Sequence, residues 1–266
     1  CKAGDLAVVE EPTYYLSFTM IRDRGMDLVG VPLSEDGTGM DLDALQARLE
    51  EFPGKIKVVY TVPVHHNPTG VTMPNAKRER LVAMAREHGF VIIADEAYQL
   101  LSYEKIEEKP LFYHDDPNNP RVLSIGTFSK LIGPGVKVGW IQAHEQLLKP
   151  LTGIGFIDSG NNPVIFSSMN LLHFLESGNF EKHLAYVCKE CGEKKTLMVN
   201  KLKELGLEPN DPKGGYFVWC KKKSKVVGRT GEGMCIAKDR FHDIMRICFC
   251  WLSREQIQEG LEELRE

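Results

Sequence analysis

Residues 122–140 read VLSIGTFSKLIGPGVKVGW, and the fold follows from how this stretch is parsed. Val122-Leu123-Ser124-Ile125-Gly126 predicts a short strand, which runs out into hydroxyls at Thr127 and Ser129 and then into the amine of Lys130. A Gly133-Pro134-Gly135 turn follows, and residues 136–141 predict a second strand with Lys137 beside its start. A lysine where a buried strand gives way to a loop stands where open α/β sheets hold ligands, outside the carboxyl ends of the strands. A lone lysine is ordinarily a solvated surface charge. Its neighbours in the sequence make Lys130 a candidate for chemistry.

Three further stretches end in the same way. Phe90-Val91-Ile92-Ile93-Ala94 runs into Asp95-Glu96-Ala97-Tyr98, and residues 56–63 run into His65-His66-Asn67-Pro68-Thr69-Gly70. Leu6-Ala7-Val8-Val9 runs into Glu10-Glu11-Pro12-Thr13-Tyr14-Tyr15. Polar groups at the end of each apolar run would gather on one rim of one sheet. Taken singly each has a plainer reading: Asp95 as a helix cap, Asn67-Pro68-Thr69-Gly70 as a turn.

The chain alternates strand-like and helix-like segments. Strands are expected at 6–9, 26–32, 56–63, 91–94, 122–126 and 136–141, with helices at 15–24, 41–51 and 75–88. Asp41 caps the second helix, which carries Leu42, Leu45 and Leu49 on one face. This pattern predicts an α/β fold, a mainly parallel sheet with helices on both faces. Residues 104–120, charged and holding Asp115-Asp116-Pro117, predict a surface loop. Beyond residue 150, helices at 163–175 and 180–205 precede short strands at 216–220, 234–237 and 246–251. A closing helix at 253–264 has Ser253 as cap and Gln256 three residues on. This half reads as a smaller C-terminal α+β domain. The expected division is 1–155 large domain, 156–205 connecting helices and 206–266 small domain.

Composition narrows the class. The 266 residues are 42% hydrophobic, enough for real cores, and carry 33 basic against 37 acidic residues, a net of −4. Basic residues are dispersed apart from Lys221-Lys222-Lys223, which argues against a nucleic-acid partner. No apolar run reaches the length of a membrane span and no charged-then-apolar leader opens the chain, so no membrane partner and a cytoplasmic protein are expected. The cysteine count, seven, is odd, in keeping with a reducing compartment. Cys188 and Cys191 form a C-x-x-C, but no second pair stands near and the segment reads as helix, so no metal site is expected. Cys248 and Cys250, two apart on a strand, share a face and read as core packing.

Asn67-Pro68-Thr69-Gly70, Asp95-Glu96-Ala97-Tyr98, and Thr127-Phe128-Ser129-Lys130 with Gly135-Val136-Lys137-Val138-Gly139-Trp140 form a series. In order and spacing it resembles the signatures of the fold-type I, pyridoxal-phosphate-dependent aminotransferases of class I/II. His65-His66-Asn67, Gly214-Gly215-Tyr216-Phe217-Val218-Trp219 and Met245-Arg246-Ile247-Cys248-Phe249 are similar to the branch with 2-aminoadipate and kynurenine aminotransferases. The resemblance implies a large domain of the PLP-dependent transferase type and the cofactor pyridoxal 5'-phosphate. It implies a homodimer, with an amino acid and a 2-oxo acid as small-molecule partners.

It also implies roles. Lys130 would hold the cofactor's aldehyde and shuttle a proton at the substrate's α-carbon. Asp95 would pair with the ring nitrogen, Asn67 and Tyr98 with the phenolic oxygen, and Tyr14, with Tyr15 beside it, would stack on the ring. Thr127, Ser129 and Lys137 would meet the phosphate, where the family more often has arginine at the last position and lysine forfeits the bidentate fork. Arg246, a cation among apolar neighbours on a strand, would take the substrate's α-carboxylate, its other reading being a structural ion pair. Asn67 would also touch substrate. His65, His66 and the turn at 159–163 are expected to line the pocket. Measured against the family, the chain is expected to lack the N-terminal part, including a glycine-rich helix start that grips the phosphate. Two alternatives therefore stand: a catalytically incomplete regulatory or binding module, and a PLP-dependent lyase.

Overall fold

Both sets of alternate residues in the first apolar run are buried, so β1 (Leu6–Glu11) must lie inside a sheet covered on each side. The computed structural model describes residues 1–160, 164–221, 230–237 and 239–263. After β1 come α1 (Leu16–Arg22), β2 (Asp27–Pro32), α2 (Leu42–Glu51), β3 (Ile56–Thr61), α3 (Asn75–His88), β4 (Val91–Asp95), β5 (Val122–Thr127) and β6 (Gly139–Gln142). The six strands lie in the order β2-β1-β3-β4-β5-β6, parallel except for β6, which returns antiparallel to β5. This is the expected α/β sheet. Among the described residues no helix is long and apolar enough to cross a membrane.

The two faces are covered unequally. Val8, Val59, Ile92, Ala94 and Val122 pack with Leu42, Leu45 and Leu49 of α2 and Leu81, Val82 and Ala85 of α3 in one core. On the other face Ala7, Val9, Val58 and Tyr60 meet Phe18 and Ile21 of α1, while Ile93, Leu123 and Ile125 are only half buried. The Asp41 side chain accepts from the amides of Asp43 and Ala44, the expected cap of α2.

Beyond the sheet run α4 (Glu145–Thr152), α5 (Gly155–Asp158), α6 (Ile165–Glu176) and α7 (Asn179–Glu204), then β7 (Phe217–Lys221), β8 (Ile244–Cys248) and α8 (Arg254–Glu262). β7 and β8 form a separate antiparallel pair, packed through Val218, Cys220 and Met245 against Met198, Val199 and Leu202 of α7 and Ile257 and Leu261 of α8. Ser253 and Gln256 close the expected capping box on α8.

Several expectations are corrected. Residues 234–237 form no strand, because the Ile236 and Ala237 amides donate to the Glu11 carboxylate at 2.7 and 3.0 Å and the Met234 carbonyl accepts from the Thr13 amide. Residues 136–138 stay outside β6. Lys137 has φ of 55°, and the Val138 carbonyl is taken by the Phe128 amide and the Thr127 hydroxyl. The surface loop at 104–120 has a buried anchor, a 3-10 turn at Leu111–His114 whose Leu111 amide donates to Glu96 at 2.8 Å. Helices α4 and α5 had no expected counterpart. Cys248 is exposed rather than in the core. Residues 161–163 of the turn expected at the pocket, and Lys222 and Lys223, lie outside the described residues.

His65 and His66 turn into the protein. His65 bonds the Ser102 hydroxyl at 2.7 Å beneath Gly214, where any Cβ would fall 2.3 Å from the Leu101 carbonyl and 2.4 Å from the imidazole. His66 bonds Thr69 and lies 3.2 Å from Glu10. Burial, reinforced by the Arg78 charge, pushes the His65 imidazole down from 6.5 to about 4. The unfolded chain therefore takes up a proton below pH 6.5 that the folded chain refuses until about 4. Stability present above the upper value is lost as pH falls between the two. Urea unfolding should show His65 accounting for ~2 kcal/mol of loss between about pH 7 and 5. His65→Asn, which tolerates the left-handed backbone, should flatten the profile by that amount; an unchanged profile would contradict the assignment.

Candidate active site

Register decides where the carboxylate goes. Tyr60 on β3 pairs with Ile93 on β4, so Asp95, two residues further, lies on the same face with its carboxylate above the tyrosine. The Tyr60 hydroxyl donates to Asp95 Oδ2 at 2.7 Å and the Ala97 amide to Oδ1 at 3.3 Å. Burial pushes the Asp95 carboxyl above the usual range, with Glu10 adding to the rise. The Tyr60 and Ala97 hydrogen bonds and the Lys130 charge oppose it. Both of these hydrogen-bond donors are neutral. A buried carboxylate so held has room for a cationic partner in the space it faces.

That space is a cavity of about 480 Å3 whose lining includes nine residues given roles from the sequence: Lys130, Asp95, Asn67, Tyr98, Tyr14, Thr127, Ser129, Lys137 and Arg246. Tyr15, Val62, Ala97, Ile125, Gly126 and Phe217 complete it. His65 and His66 are not in the lining.

Lys130 is carried on the loop that joins β5 to β6. The Thr127 hydroxyl accepts from the Ser129 amide at 3.1 Å and donates to the Val138 carbonyl at 3.3 Å, tying the two arms of the loop together. The Phe128 carbonyl accepts from the Leu131 and Ile132 amides, and the Tyr216 hydroxyl donates to the Lys130 carbonyl. The lysine backbone is thus pinned from both sides. Lys137, left-handed on the returning arm, places a second cation on the wall. Such a backbone costs a non-glycine residue ~1 kcal/mol or more.

Arg246, mid-strand on β8, reaches across to the sheet. Its Nη1 donates to Asn67 Oδ1 at 2.9 Å and its guanidinium lies 4.2 Å from the Phe217 ring centre. Tyr98 is buried against Tyr216 and Phe217, edge to face at 5.6 and 6.1 Å. Burial and then the Asp95 charge raise both the Tyr98 and Tyr14 phenols, so both stay protonated donors.

Sequence reasoning missed Tyr60 and Glu10. Glu10, fully buried, accepts from the Thr61 hydroxyl at 2.7 Å and the Val62 amide at 2.9 Å, setting a second carboxylate under the cavity floor. Strand parity alone would place Tyr60 on the Asp95 face, but only once the β3–β4 register is known. The donor set fits a flat, phosphorylated, aldehyde-bearing pyridine. There is an anion for the ring nitrogen, an amine for the aldehyde, phenol and amide groups for a ring oxygen, and hydroxyls with an ammonium for the phosphate. The volume is in the range of small-molecule sites, roughly 300–1,000 Å3. Among the described residues no group of three or more His, Cys, Asp or Glu could hold a metal ion.

The family model for aminotransferase class I and II matches residues 1–264. Aromatic-amino-acid aminotransferase 1 of Thermococcus litoralis is 31% identical over 284 aligned residues, covering 99% of this chain and 66% of its own length. The 2-aminoadipate transaminase of Thermus thermophilus is 29% identical, covering 98% and 68%. The crystal structure of Pyrococcus horikoshii kynurenine aminotransferase, in complex with PMP, superposes with a TM-score of 0.88 at 28% identity, covering 99% of this chain and 69% of that one. The chain thus spans about two thirds of the length of these relatives.

Removing the Tyr60 hydroxyl leaves Asp95 buried with one donor fewer. In Tyr60→Phe the Asp95 carboxyl, followed by carbon-13 NMR, should titrate about one pH unit or more above its value in the parent chain. An unshifted titration would mean that Tyr60 does not stabilise the ionised form.

Proposed function

The chain belongs to the aminotransferases of class I and II, and from that membership we propose that it transfers an amino group between an amino acid and a 2-oxo acid on pyridoxal 5'-phosphate. The observation that carries the reading is the shared cavity, in which Lys130 and Asp95 line one space large enough for that cofactor and a small substrate. When bound, the cofactor supplies an aldehyde that captures amines and a ring that takes up the electrons released when a Cα–H bond breaks.

The protein's part is division of labour. Lys130 Nζ would hold the aldehyde. The same amine would take the proton from the substrate α-carbon as base and hold it for return as acid. Asp95, whose ionised form the Tyr60 hydrogen bond favours, would hold a proton on the ring nitrogen by ion pairing in a low-dielectric site. Tyr98 and Asn67 would hydrogen-bond the ring oxygen, and Tyr14 would cover the ring face. Thr127, Ser129 and Lys137 hold the phosphate. The Thr127 hydroxyl already serves the loop, so its share is an adjustment of an existing bond rather than a free donor. Arg246, oriented by Asn67 and Phe217, receives the α-carboxylate through a charge-assisted fork.

The assembly we infer is a homodimer. Phe166, at 83% exposure, stands with Ile165, Met169 and Leu172 on an apolar face of α6, and Ile154 and Phe156 are exposed in and beside α5. The face adjoins a cavity of about 410 Å3 reaching Ile132 and Val136 of the Lys130 loop. A second copy would cover it. Seven free thiols agree with a reducing, cytoplasmic setting.

A panel of amino acids and 2-oxo acids, followed by appearance of the new amino acid, tests the reaction. Lys130→Ala should lower kcat by about a thousandfold. A variant that transaminates normally, or a parent chain yielding elimination products alone, would overturn the proposal. Lys137→Ala should weaken cofactor affinity by about tenfold and Lys137→Arg by less. Equal affinity in all three would remove Lys137 from the phosphate site.

A further inference from the structure

Two thiols next to the Arg246 strand have no part in the proposed reaction. Cys248 ends β8 two residues beyond Arg246, on the same face of the strand, and is exposed. The chain then turns at Phe249, fully buried and hydrogen-bonded through its amide to the Tyr216 carbonyl, which brings Cys250 back beside Cys248. Their sulfurs lie 3.4 Å apart. The other adjacent pair in the sequence is engaged differently: Cys188 Sγ contacts the Leu100 carbonyl at 3.5 Å, and Cys191 is buried in the α7 core.

We propose that Cys248 and Cys250 form a thiol–disulfide exchange site that takes a low-molecular-weight disulfide such as oxidised glutathione. The Cys248 thiolate attacks one sulfur of that disulfide; the S–S bond breaks, one small thiolate leaves with the electron pair, and a mixed disulfide stays on Cys248. Cys250, giving up its proton, then attacks the Cys248 sulfur. The Cys248–Cys250 bond forms and the second small thiolate leaves. Two protein thiols are oxidised, one small disulfide is reduced to two thiols, and both protons pass to those thiols.

The charges favour this order. The neighbouring Cys250 thiol, with the Arg246 and Lys130 charges, lowers the Cys248 thiol, and the Cys248 sulfur in turn raises Cys250. Cys248, the exposed member of the pair, is thus the thiolate that attacks first. Once it is in a mixed disulfide, the negative charge that kept Cys250 protonated is gone, and Cys250 is released to attack. The bond would tie the end of the Arg246 strand to the turn behind it. What such a tie regulates rests on the aminotransferase reading; the exchange chemistry does not, and it needs no cofactor.

The full chain is incubated with excess oxidised glutathione, quenched with acid, alkylated, and read by intact mass and peptide mapping. The expected result is loss of two alkylatable thiols of the seven, a Cys248–Cys250 link, and full recovery with dithiothreitol. Cys250→Ser should stop at a glutathione adduct on Cys248. Seven thiols still alkylatable, an adduct persisting on Cys248 in the parent chain, or a link formed elsewhere, such as Cys188 to Cys191, would overturn the proposal. Each of these is read without any assay of amino transfer.

Discussion

An ionised carboxylate at the end of an apolar strand costs several kcal/mol unless donors replace the water it loses. Here the Tyr60 hydroxyl and the Ala97 amide are those donors, and the first depends on how β3 lies against β4. Slip that pairing by one residue and Tyr60 turns to the opposite face, away from Asp95. The core therefore does more than stabilise the sheet. Val59, Ile92 and Ala94, locked against α2 and α3, fix the register that fixes the carboxylate.

The opposite wall of the cavity is made by a different device. A hairpin loop is ordinarily mobile, yet the one carrying Lys130 is closed on itself by Thr127 and Val138 and held from outside by Tyr216. Tyr216 stands just before β7, and Arg246 on β8 bonds Asn67 beyond β3. The two-stranded pair and its approach thus brace the Lys130 backbone with one residue and carry Arg246 to the cavity on the other strand. The aromatic cluster of Tyr98, Tyr216 and Phe217 is the shared wall through which both contacts are set.

Much of this was legible from residue order. Apolar runs ending in polar groups located the sheet's rim, because a parallel strand must be apolar throughout and its carboxyl end is where functional groups can project. Eight of the nine candidate residues line one cavity for that reason, while Arg246 comes from the antiparallel β8 and had its role from the family resemblance. What was hidden depends on pairings far apart in the chain. Tyr60 counts only once register is known. The segment 234–237 reads as a strand until Glu11, on another element, claims its amides. His65 and His66 belong to a pocket-lining motif in sequence but turn into the core, where His65 bonds Ser102 and His66 bonds Thr69 with Glu10 3.2 Å away. Cys248 reads as core from its place in an apolar strand, but it shares its face of β8 with Arg246, opposite the buried Met245, and is exposed.

The account stands on one amine and one carboxylate facing each other across a single ring. Its most direct measurement is to mix the purified chain with pyridoxal 5'-phosphate, reduce with borohydride, and map the modified peptide in the parent chain and in Asp95→Asn. The account predicts one phosphopyridoxyl group, on Lys130, with the yield at limiting cofactor reduced in the Asp95 variant. A label scattered over surface lysines such as Lys149 and Lys182, or equal yield on Lys130 with and without the Asp95 charge, would contradict it.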